Sequence, residues 1–401
     1  MTVASQSLLF APVKFREVTL RNHIMLSPMC TYSANEGMAS DWHVVHLGQF
    51  ALGGFGAVFV EATAVTEQGR ITYGDIGLWS NAHIPPLARI ANALRVLGTI
   101  PAIQLAHAGR KASSQRPWHG MDALTSTDAQ TRNERPWPTV APVAEAMDTG
   151  WHVPHALSVD EIRTLIAAWR NAASRARDAG FDIVEVHCAH GYLNHQFLSP
   201  LINKRNDVYG GDRAGRMRFP LEVAEAVRAE WPKDKPVFVR ISSVDGMEGG
   251  WALEDSVAFA KELKTRGIDA IDCSSGGVVG SATARAVPRS LGYQVPFAEK
   301  IRKEAEIATI AVGLILNGPQ AEQILQNAQA DLIAVAREAL YDPYWPRHAA
   351  RELGADGGAY AVWPQQYGWW LDKRANHSKA KSPVARNGKT INLMQRRRLA
   401  S

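Results

Sequence analysis

The sequence predicts a single (β/α)8 barrel with a capping insertion after the third strand. Eight short apolar runs, bounded by glycine or proline, alternate with amphipathic stretches along the 401-residue chain. The chain also lacks the G-x-G-x-x-G motif that opens a doubly wound dinucleotide-binding sheet. Strand–helix alternation without that motif favours a closed barrel, and barrels with insertions reach this length.

Each predicted strand is rich in β-branched or small apolar residues, as expected for parallel strands buried on both faces. The eight runs are 24–29, 57–62, 102–105, 183–187, 237–241, 270–273, 310–312 and 332–336. The carboxyl ends of such strands meet at one rim of the barrel. Ligands and catalytic groups are expected at that rim.

Helical patterns separate the strands. The clearest spans 158–177, because Ser158 and Glu161 form a capping-box pattern at its start and Gly180 follows its end. The other predicted helices are 41–52, 86–97, 215–230, 253–266, 298–305 and 320–327. One long irregular insertion, roughly 111–157, follows the third strand and contains Trp, Pro and Gly. We expect it to cover the barrel mouth as a lid.

The net charge of +5 is unevenly distributed. Residues 373–401 contain nine Lys or Arg and no acid, which leaves 35 basic and 39 acidic residues elsewhere. This basic segment also has few apolar side chains to bury and no aromatic residue for base stacking. We therefore predict a barrel domain over 1–372 and a disordered, solvated tail over 373–401, with no nucleic-acid partner.

Three cysteines, widely spaced, favour a reducing compartment over a disulfide-stabilised protein. No apolar run approaches the length needed to cross a bilayer, and the first residues lack the pattern of a signal peptide. We therefore expect a cytoplasmic protein without a membrane partner.

The segment His187-Cys188-Ala189-His190-Gly191-Tyr192 follows directly on the fourth predicted strand. Its two imidazoles and one phenol therefore lie at the rim, where they can bind an oxygen atom and deliver a proton. The pair His187 and His190 could also ligate a metal or be buried structural histidines. A metal would need further ligands, but the other strand ends supply Gln, Arg and Cys rather than carboxylates.

Residues at the ends of other strands could together bind a flavin. The Gln104 amide can pair with the O2/N3 edge of the ring, and Arg240 can offset the charge that develops there on reduction. Gly313 and Arg337, after the seventh and eighth strands, lie where barrels usually hold a phosphate. Each residue alone is as compatible with a structural role, so the prediction depends on the whole set.

Many ordered motifs resemble the Old Yellow Enzyme family of FMN-dependent ene-reductases, in its bacterial, xenobiotic reductase-like branch. The similarity covers nearly all of residues 8–372. It includes the segments 9–13, 19–22, 27–32, 69–72, 104–111, 187–192, 197–200, 209–211 and 272–276.

The resemblance implies a set of binding residues. The flavin ring would contact Ser27, Pro28, Met29, Cys30, Ala62, Gln104 and Arg240, and the phosphate would contact Gly313, Ala336 and Arg337. Cys30 would tune the redox behaviour of the flavin. The substrate would contact Tyr32, His187, His190 and Tyr192.

Two features depart from the family pattern. Ala336 replaces a glycine, which affects how closely the backbone can approach the phosphate. Trp369 and Trp370 stand in a segment, near 363–372, that in related enzymes reaches the active site of a neighbouring subunit, where some relatives have an arginine. The resemblance thus implies self-association through this segment and substrate binding by both tryptophans.

The resemblance further implies a two-step reaction in which NADPH or NADH reduces FMN, which then reduces an activated C=C bond. The substrates would be α,β-unsaturated aldehydes or ketones, maleimides or nitro compounds. His187 and His190 would polarise the substrate oxygen and Tyr192 would donate the proton.

Four alternatives remain at the level of sequence. Iron–sulfur flavin barrels such as dienoyl-CoA reductases or amine dehydrogenases need a cysteine cluster that this chain lacks. A tRNA dihydrouridine synthase would need a basic body, but only the tail is basic. A non-catalytic flavin sensor that uses Cys30 would leave Tyr192 without a role. A metal-dependent hydrolase would leave the predicted flavin-binding residues without a role.

Overall fold

The computed structural model describes residues 7–279, 287–358 and 360–380. Eight parallel strands form a closed barrel in which each strand pairs with the next along the chain and the last pairs with the first. This confirms the predicted (β/α)8 fold. The strands are β1 Ile24–Leu26, β2 Ala57–Ala64, β3 Ile100–Ala106, β4 Ile183–Cys188, β5 Val237–Ser242, β6 Ala270–Ser274, β7 Ala308–Ala311 and β8 Leu332–Val335.

All seven predicted helices are present, with ends that differ by at most three residues. They are α1 Asp41–Gly53, α2 Ile84–Val96, α4 Val159–Asp178, α6 Arg213–Glu230, α7 Leu253–Thr265, α8 Val295–Ala305 and α9 Gly318–Gln326. Five further helices were not predicted, namely α3 Ser126–Arg132, α5 Leu193–Leu198, α10 Arg337–Tyr341, α11 Trp345–Glu352 and α12 Gln365–Ala380.

The predicted strand bounds are wrong at several ends. β1 ends at Leu26 rather than at Met29, since Pro28 has no N–H to continue the ladder of hydrogen bonds. β2 instead continues to Ala64, with a shift of register between Val60 and Ala62. Ala336 lies outside β8 and precedes the short helix α10.

Side chains that point into the barrel form layers. At the amino-terminal end they are apolar and fully buried, as in Phe59, Ile183 and Phe238. Because successive residues alternate between the two faces, residues two positions further along these strands form the next inward layer. Glu185 and Arg240 belong to that polar layer. The active-site rim lies above it.

An N-terminal hairpin, Val13–Phe15 paired with Val18–Leu20, packs on the amino-terminal end of the barrel. The Phe15 ring meets the ring of Phe238 edge to face, with 5.3 Å between their centroids. Burial of one such ring contributes about 2 kcal/mol. The hairpin therefore keeps water from the apolar layer without taking part in the rim.

The insertion after β3 packs on the loops that follow β1 and β2. Arg116 Nε donates to the Tyr32 carbonyl oxygen at 3.2 Å, and Trp137 Nε1 donates to the Gln68 carbonyl oxygen at 3.1 Å. The insertion contains α3 and a parallel pair of two-residue strands, Val140–Ala141 and His155–Ala156. It thus lies at the rim, as expected for a lid.

Residues 356–358 and 360–380 belong to a second compact unit, which contains α12. This helix runs past Asp372 to Ala380, so the predicted disorder is wrong for residues 373–380. The remaining tail, 381–401, lies outside the described residues. Within the described parts of the chain, no helix is both long and apolar enough to span a membrane.

Candidate active site

The loop after β4 brings three aromatic side chains together. The His187 ring centroid lies 5.2 Å from that of His190 and 5.3 Å from that of Tyr192. His187 is the penultimate residue of β4 and points inward, whereas the next residue, Cys188, is buried on the outer face. His190 and Gly191 have φ angles of 60° and 71°, which turn the chain back so that His190 and Tyr192 flank His187.

Two serines that the sequence did not single out hold His190. The His190 amide donates to Ser242 Oγ at 2.9 Å, and His190 Nε2 lies 2.7 Å from Ser274 Oγ. Ser274 lies in segment 272–276, one of the segments that resemble the family, and that resemblance could have identified it. Ser242 ends β5, so the rule that strand ends carry function could have identified it.

Both histidines are electrically neutral at neutral pH. Burial, followed by the positive charge of Arg240, lowers the pKa of His187 and of His190 well below the usual range. A neutral imidazole still offers one N–H donor. In addition, His187 Nδ1 is buried without a hydrogen-bond partner among the described residues. The pair can therefore donate hydrogen bonds to a ligand oxygen.

Tyr192 is buried, and burial raises the pKa of its hydroxyl well above the usual range, with Cys30 and Asp75 adding to the shift. The phenol therefore stays protonated at neutral pH. Lys111 Nζ lies 5.7 Å from the centroid of this ring. Because its hydroxyl is protonated, Tyr192 can donate a proton but cannot act as a base.

Lys111 is a further residue that the sequence reasoning missed. Its ammonium group donates to the carbonyl oxygens of His190, at 2.9 Å, and of Gly277. Burial, with the charge of Arg110, lowers the pKa of Lys111 to about 7. The lysine thus links the loop after β3 to the loops after β4 and β6.

The polar layer of the barrel contains the residues predicted to bind the flavin ring. Arg240 NH1 donates to Ser27 Oγ at 2.8 Å, and both side chains are buried. Gln104 Nε2 donates to Glu185 Oε1 at 2.8 Å. Ala62 is the register partner of Gln104, so it lies beside that amide.

The segment after β1 carries Pro28, Met29 and Cys30, all half-buried. Glu61 fixes it, because Glu61 Oε2 accepts hydrogen bonds from Thr31 N at 2.9 Å and Thr31 Oγ1 at 2.7 Å. Burial and the charges of Glu61 and Asp75 raise the pKa of Cys30 well above the usual range. The cysteine is therefore a thiol at neutral pH.

A cavity with about 970 Å³ of empty space, partly open to solvent, extends from His190 and Arg240 to the ends of β7 and β8. Gly313, Ala336 and Arg337 line its far end. The volume that water-sized groups can occupy in it is about 210 Å³. Arg240 is the predicted ring-binding residue in its lining, so the cavity connects Arg240 with the predicted phosphate-binding residues.

The backbone explains two of these positions. Gly313 has a φ of 111°, and a Cβ there would lie 2.8 Å from Gln294 Nε2, so glycine is required. Ala336 has a φ of −114° and a ψ of −100°, and this ψ lies outside the α and β regions open to most L-residues. The backbone at this position therefore accounts for the glycine that the family pattern has there.

A second cavity, about 390 Å³ of empty space, lies between the barrel loops and the lid. Tyr32 and Tyr192 line it together with Lys111 and with the lid residues Met147 and Trp151. Most of its lining is apolar, which suits a small conjugated substrate.

Trp369 and Trp370 belong to the second unit. Both side chains are exposed, and their rings pack edge to face at 4.5 Å. Their predicted place in the substrate site stays a prediction.

FMN fits the described residues. Arg240 lines the larger cavity, and its Nε, 3.4 Å from Asp272 Oδ2, has no hydrogen-bond partner among the described residues. His187, the register partner of Arg240, likewise has a buried Nδ1 without a partner there. No group of three or more His, Cys, Asp or Glu in the described segments could hold a metal ion. The fold and the site together define a flavin-dependent oxidoreductase built on a (β/α)8 barrel.

Comparison with known proteins assigns the family. A model of the NADH:flavin oxidoreductase / NADH oxidase family matches residues 8–356. The chain belongs to this family, as a bacterial enzyme of the Old Yellow Enzyme type. It is accordingly an FMN-dependent oxidoreductase with NAD(P)H as reductant.

The NADPH dehydrogenase of Geobacillus sp. strain WCH70 is 46% identical over 351 residues, which are 87% of this chain and 95% of that protein. The NADPH dehydrogenase of Bacillus subtilis strain 168 is 43% identical over 365 residues, 90% of this chain and 99% of that protein. Among solved structures, morphinone reductase superposes with a TM-score of 0.71 at 26% identity, covering 88% of this chain and 91% of its own.

Proposed function

We propose that this oxidoreductase is an ene-reductase. It would pass hydride from NAD(P)H to the activated C=C bond of α,β-unsaturated aldehydes or ketones, maleimides or nitro compounds. The observation that carries the proposal is the close grouping of His187, His190 and Tyr192, two neutral donors and one protonated phenol. Such a set stabilises a developing negative oxygen and supplies one proton, which is what this reduction requires.

The residues that hold the cofactor lie on the barrel side of this group. Bound FMN would supply the redox chemistry, carrying hydride from the nicotinamide to the alkene. Arg240, which donates to Ser27, and Gln104 would hold the pyrimidine edge of the ring. Ser27, Pro28, Met29, Cys30 and Ala62 complete the ring contacts in this proposal.

The phosphate of FMN binds at the far end of the larger cavity, on Gly313, Ala336 and Arg337. Gly313 brings the backbone close to this end, and the Arg337 guanidinium provides the opposite charge. The cavity runs from there to His190, so one molecule can reach both ends.

The substrate oxygen is bound by His187 and His190. Hydrogen bonds from two neutral imidazoles strengthen as negative charge develops on that oxygen, which lowers the barrier to hydride transfer. Ser274 orients His190, since its hydroxyl can either donate to or accept from His190 Nε2.

Tyr192 then protonates the carbon next to the activating group. Its raised pKa keeps the proton in place until charge has developed on the substrate. Tyr32 and the smaller cavity receive the remainder of the substrate. Trp369 and Trp370 are proposed to add apolar contacts to this site in a self-associated form of the enzyme.

The proposal is tested with the double variant His187→Ala, His190→Ala. The variant should bind FMN and be reduced by NADPH, because the ring-binding residues Ser27, Gln104 and Arg240 are intact. Reoxidation of the reduced enzyme by cyclohexenone should slow by at least about 10²-fold, the usual effect of losing oxyanion donors.

His119→Ala serves as the matched control, since His119 is an exposed lid residue that lines neither cavity. Stopped-flow absorbance of the flavin separates the two half-reactions. Cyclohexenone turnover at the wild-type rate in the double variant would remove the oxygen-binding role from both histidines.

A further inference from the structure

Three charged side chains lie in the polar layer of the barrel interior, directly beneath the proposed ring site. Arg240 is 7% exposed, and Glu185 and Asp272 are fully buried. The guanidinium contacts the Asp272 carboxyl at 3.4 Å, and the charges of both groups act on Glu185. Burying an uncompensated charge is far more costly than burying a neutral group. The cluster is electrically balanced only when one of the two carboxyl groups holds a proton.

The contacts identify which carboxyl is ionised. Asp272 is the register partner of Arg240 on the adjacent strand, and Asp272 Oδ2 lies 3.4 Å from Arg240 Nε. Burial raises the pKa of Asp272, against the charge of Arg240, and neither of its oxygens has a hydrogen-bond partner among the described residues. Its contact with Arg240 makes it the carboxyl placed to balance the guanidinium.

Glu185 has a different environment. Its Oε1 accepts a hydrogen bond from the neutral amide of Gln104 at 2.8 Å, and its Oε2 is buried without a hydrogen-bond partner among the described residues. Burial and the charge of Asp272 raise the pKa of Glu185, although Arg240 and Gln104 act in the opposite direction. Glu185 is therefore the group that holds the proton.

The other titratable groups near Glu185 do not change charge near neutral pH. On its own strand, burial lowers the pKa of His187 and raises that of Cys188, so both are uncharged. The adjacent strands contribute Gln104 from β3, Arg240 from β5 and, one strand further, Asp272 from β6. Ionisation of Glu185 is thus the event that changes the net charge of this layer.

Arg240 connects this layer to the cofactor site. Its Nε faces Asp272 and its NH1 donates to Ser27 Oγ at 2.8 Å, so one side chain touches both regions. We propose that Glu185 is a positioning residue that, by holding a proton beside the Arg240–Asp272 pair, sets the reduction potential of bound FMN. The inference rests on the proposed contact of Arg240 with the flavin ring.

The direction of the effect follows from charge. Reduction adds negative charge to the edge of the ring that Arg240 faces. While Glu185 is protonated, Arg240 has a single carboxylate to balance and favours that added charge. Loss of the proton places a second negative charge nearby and makes reduction harder. The potential should therefore fall more steeply with pH between the ionisation of Glu185 in the oxidised enzyme and its ionisation, at higher pH, in the reduced enzyme.

The test measures the midpoint potential of FMN in the holoenzyme between about pH 5 and pH 9.5, by anaerobic titration against indicator dyes. Wild-type enzyme should show a bend that belongs to Glu185, beside those caused by the flavin and by other groups that titrate in this range, such as Lys111 and Glu61. Glu185→Gln, which mimics the protonated acid, should lack this bend. Asp272→Asn should move it to lower pH by about one unit or more, because the repelling carboxylate is gone.

Glu61→Gln is the matched control. Glu61 is another buried glutamate, on β2, whose pKa burial raises to about 8, but its carboxyl is bound to Thr31 rather than to the Arg240 layer. This variant should retain the bend. A bend that is lost in Glu61→Gln and kept in Glu185→Gln would overturn the proposal.

Infrared difference spectra of the holoenzyme between acidic and alkaline pH give a second readout. One C=O band of a protonated carboxyl should disappear on alkalinisation in wild-type enzyme and in Glu61→Gln but be missing in Glu185→Gln, whereas the band of Glu61 should be missing only in Glu61→Gln. If all variants bind FMN and accept electrons from NADPH, yet their potentials superimpose at every pH, this inference fails and the proposed function stands. Failure of cyclohexenone to reoxidise wild-type enzyme would instead reject the proposed function.

Discussion

At the scale of single residues, the backbone at His190 and Gly191 determines how the three catalytic rings meet. Two successive left-handed residues are energetically unfavourable for a chain of L-amino acids unless contacts hold them. Here each amide has a side-chain acceptor, Ser242 Oγ for His190 and His195 Nδ1 for Gly191 at 2.8 Å. The surrounding side chains therefore fix the conformation of this loop.

Gly191→Ala should disrupt this loop for two reasons. A Cβ at position 191 would lie 2.0 Å from the Gly277 carbonyl oxygen, and φ of 71° is unfavourable for alanine by about 1 kcal/mol. We expect a lower free energy of unfolding in urea and a loss of cyclohexenone turnover, measured by stopped-flow.

Gly211→Ala separates the two causes. Gly211 has a φ of 73°, but a Cβ there meets no atom within 4 Å. This variant should lose only about 1 kcal/mol and keep full turnover. Equal losses of stability and turnover in the two variants would show that the contact with Gly277 has no effect.

The sequence could predict which rim residues meet but not what holds them. His187, His190 and Tyr192 follow one strand, so the strand-end rule places them together. Ser274 and Lys111 reach the same loop from other strands, and their contacts depend on the register and closure of the barrel. That information is not contained in any single segment of sequence.

At the scale of elements, the short helix α5 links the catalytic loop to the loop after β5. All six of its residues are buried. His195 Nε2 lies 2.8 Å from Asp245 Oδ1, and Asp245 Oδ2 accepts hydrogen bonds from Ser199 Oγ and Trp251 N, both at 2.7 Å. The carboxylate therefore positions His195, which in turn holds Gly191.

Asp245→Asn should weaken this link, because an amide has one acceptor oxygen where the carboxylate has two. Losing a buried hydrogen bond to a charged group costs about 2 kcal/mol, which urea unfolding at pH 7 would measure. Turnover of cyclohexenone should fall more than reduction by NADPH. Asp234→Asn, at an exposed loop residue, should change neither quantity.

The stability difference between wild-type enzyme and Asp245→Asn should also depend on pH. Burial raises the pKa of Asp245, but the hydrogen bonds from His195, Trp251 and Ser199 outweigh it, so the pKa lies below the usual range. A depressed folded-state pKa contributes stability above the unfolded-state pKa and loses it in acid. The difference in free energy of unfolding between wild type and Asp245→Asn should therefore shrink below about pH 4. A difference that grows in acid would contradict the role given to this carboxylate.

Most long helices were predictable and the short ones were not. Each of the seven helices that the sequence predicted spans at least nine residues in the structure, enough for an amphipathic pattern to repeat. The 16-residue α12 is an exception, since no part of it was predicted. α5 and α10 have six and five residues and too few turns to show one. The basic composition of 373–380 likewise concealed the end of α12, since tertiary context and propensity can outweigh charge in forming a helix.

At the scale of the whole molecule, the chain divides after Ala355 into two compact units. Every residue that lines either cavity belongs to the first unit. The family match likewise ends at residue 356. The barrel thus contains the residues proposed to bind FMN and to carry out the reaction.

A chain truncated after Ala355 should therefore fold, bind FMN and accept electrons from NADPH as the full chain does. Thermal unfolding, flavin absorbance and the rate of flavin reduction would check this. The Michaelis constant for cyclohexenone should rise several-fold, because Trp369 and Trp370 are proposed to add apolar surface around the substrate. Trp42→Ala, at an exposed tryptophan of α1, controls for loss of a surface aromatic. An unchanged constant in the truncated enzyme would remove both C-terminal tryptophans from the substrate site, since the rest of that site would be intact.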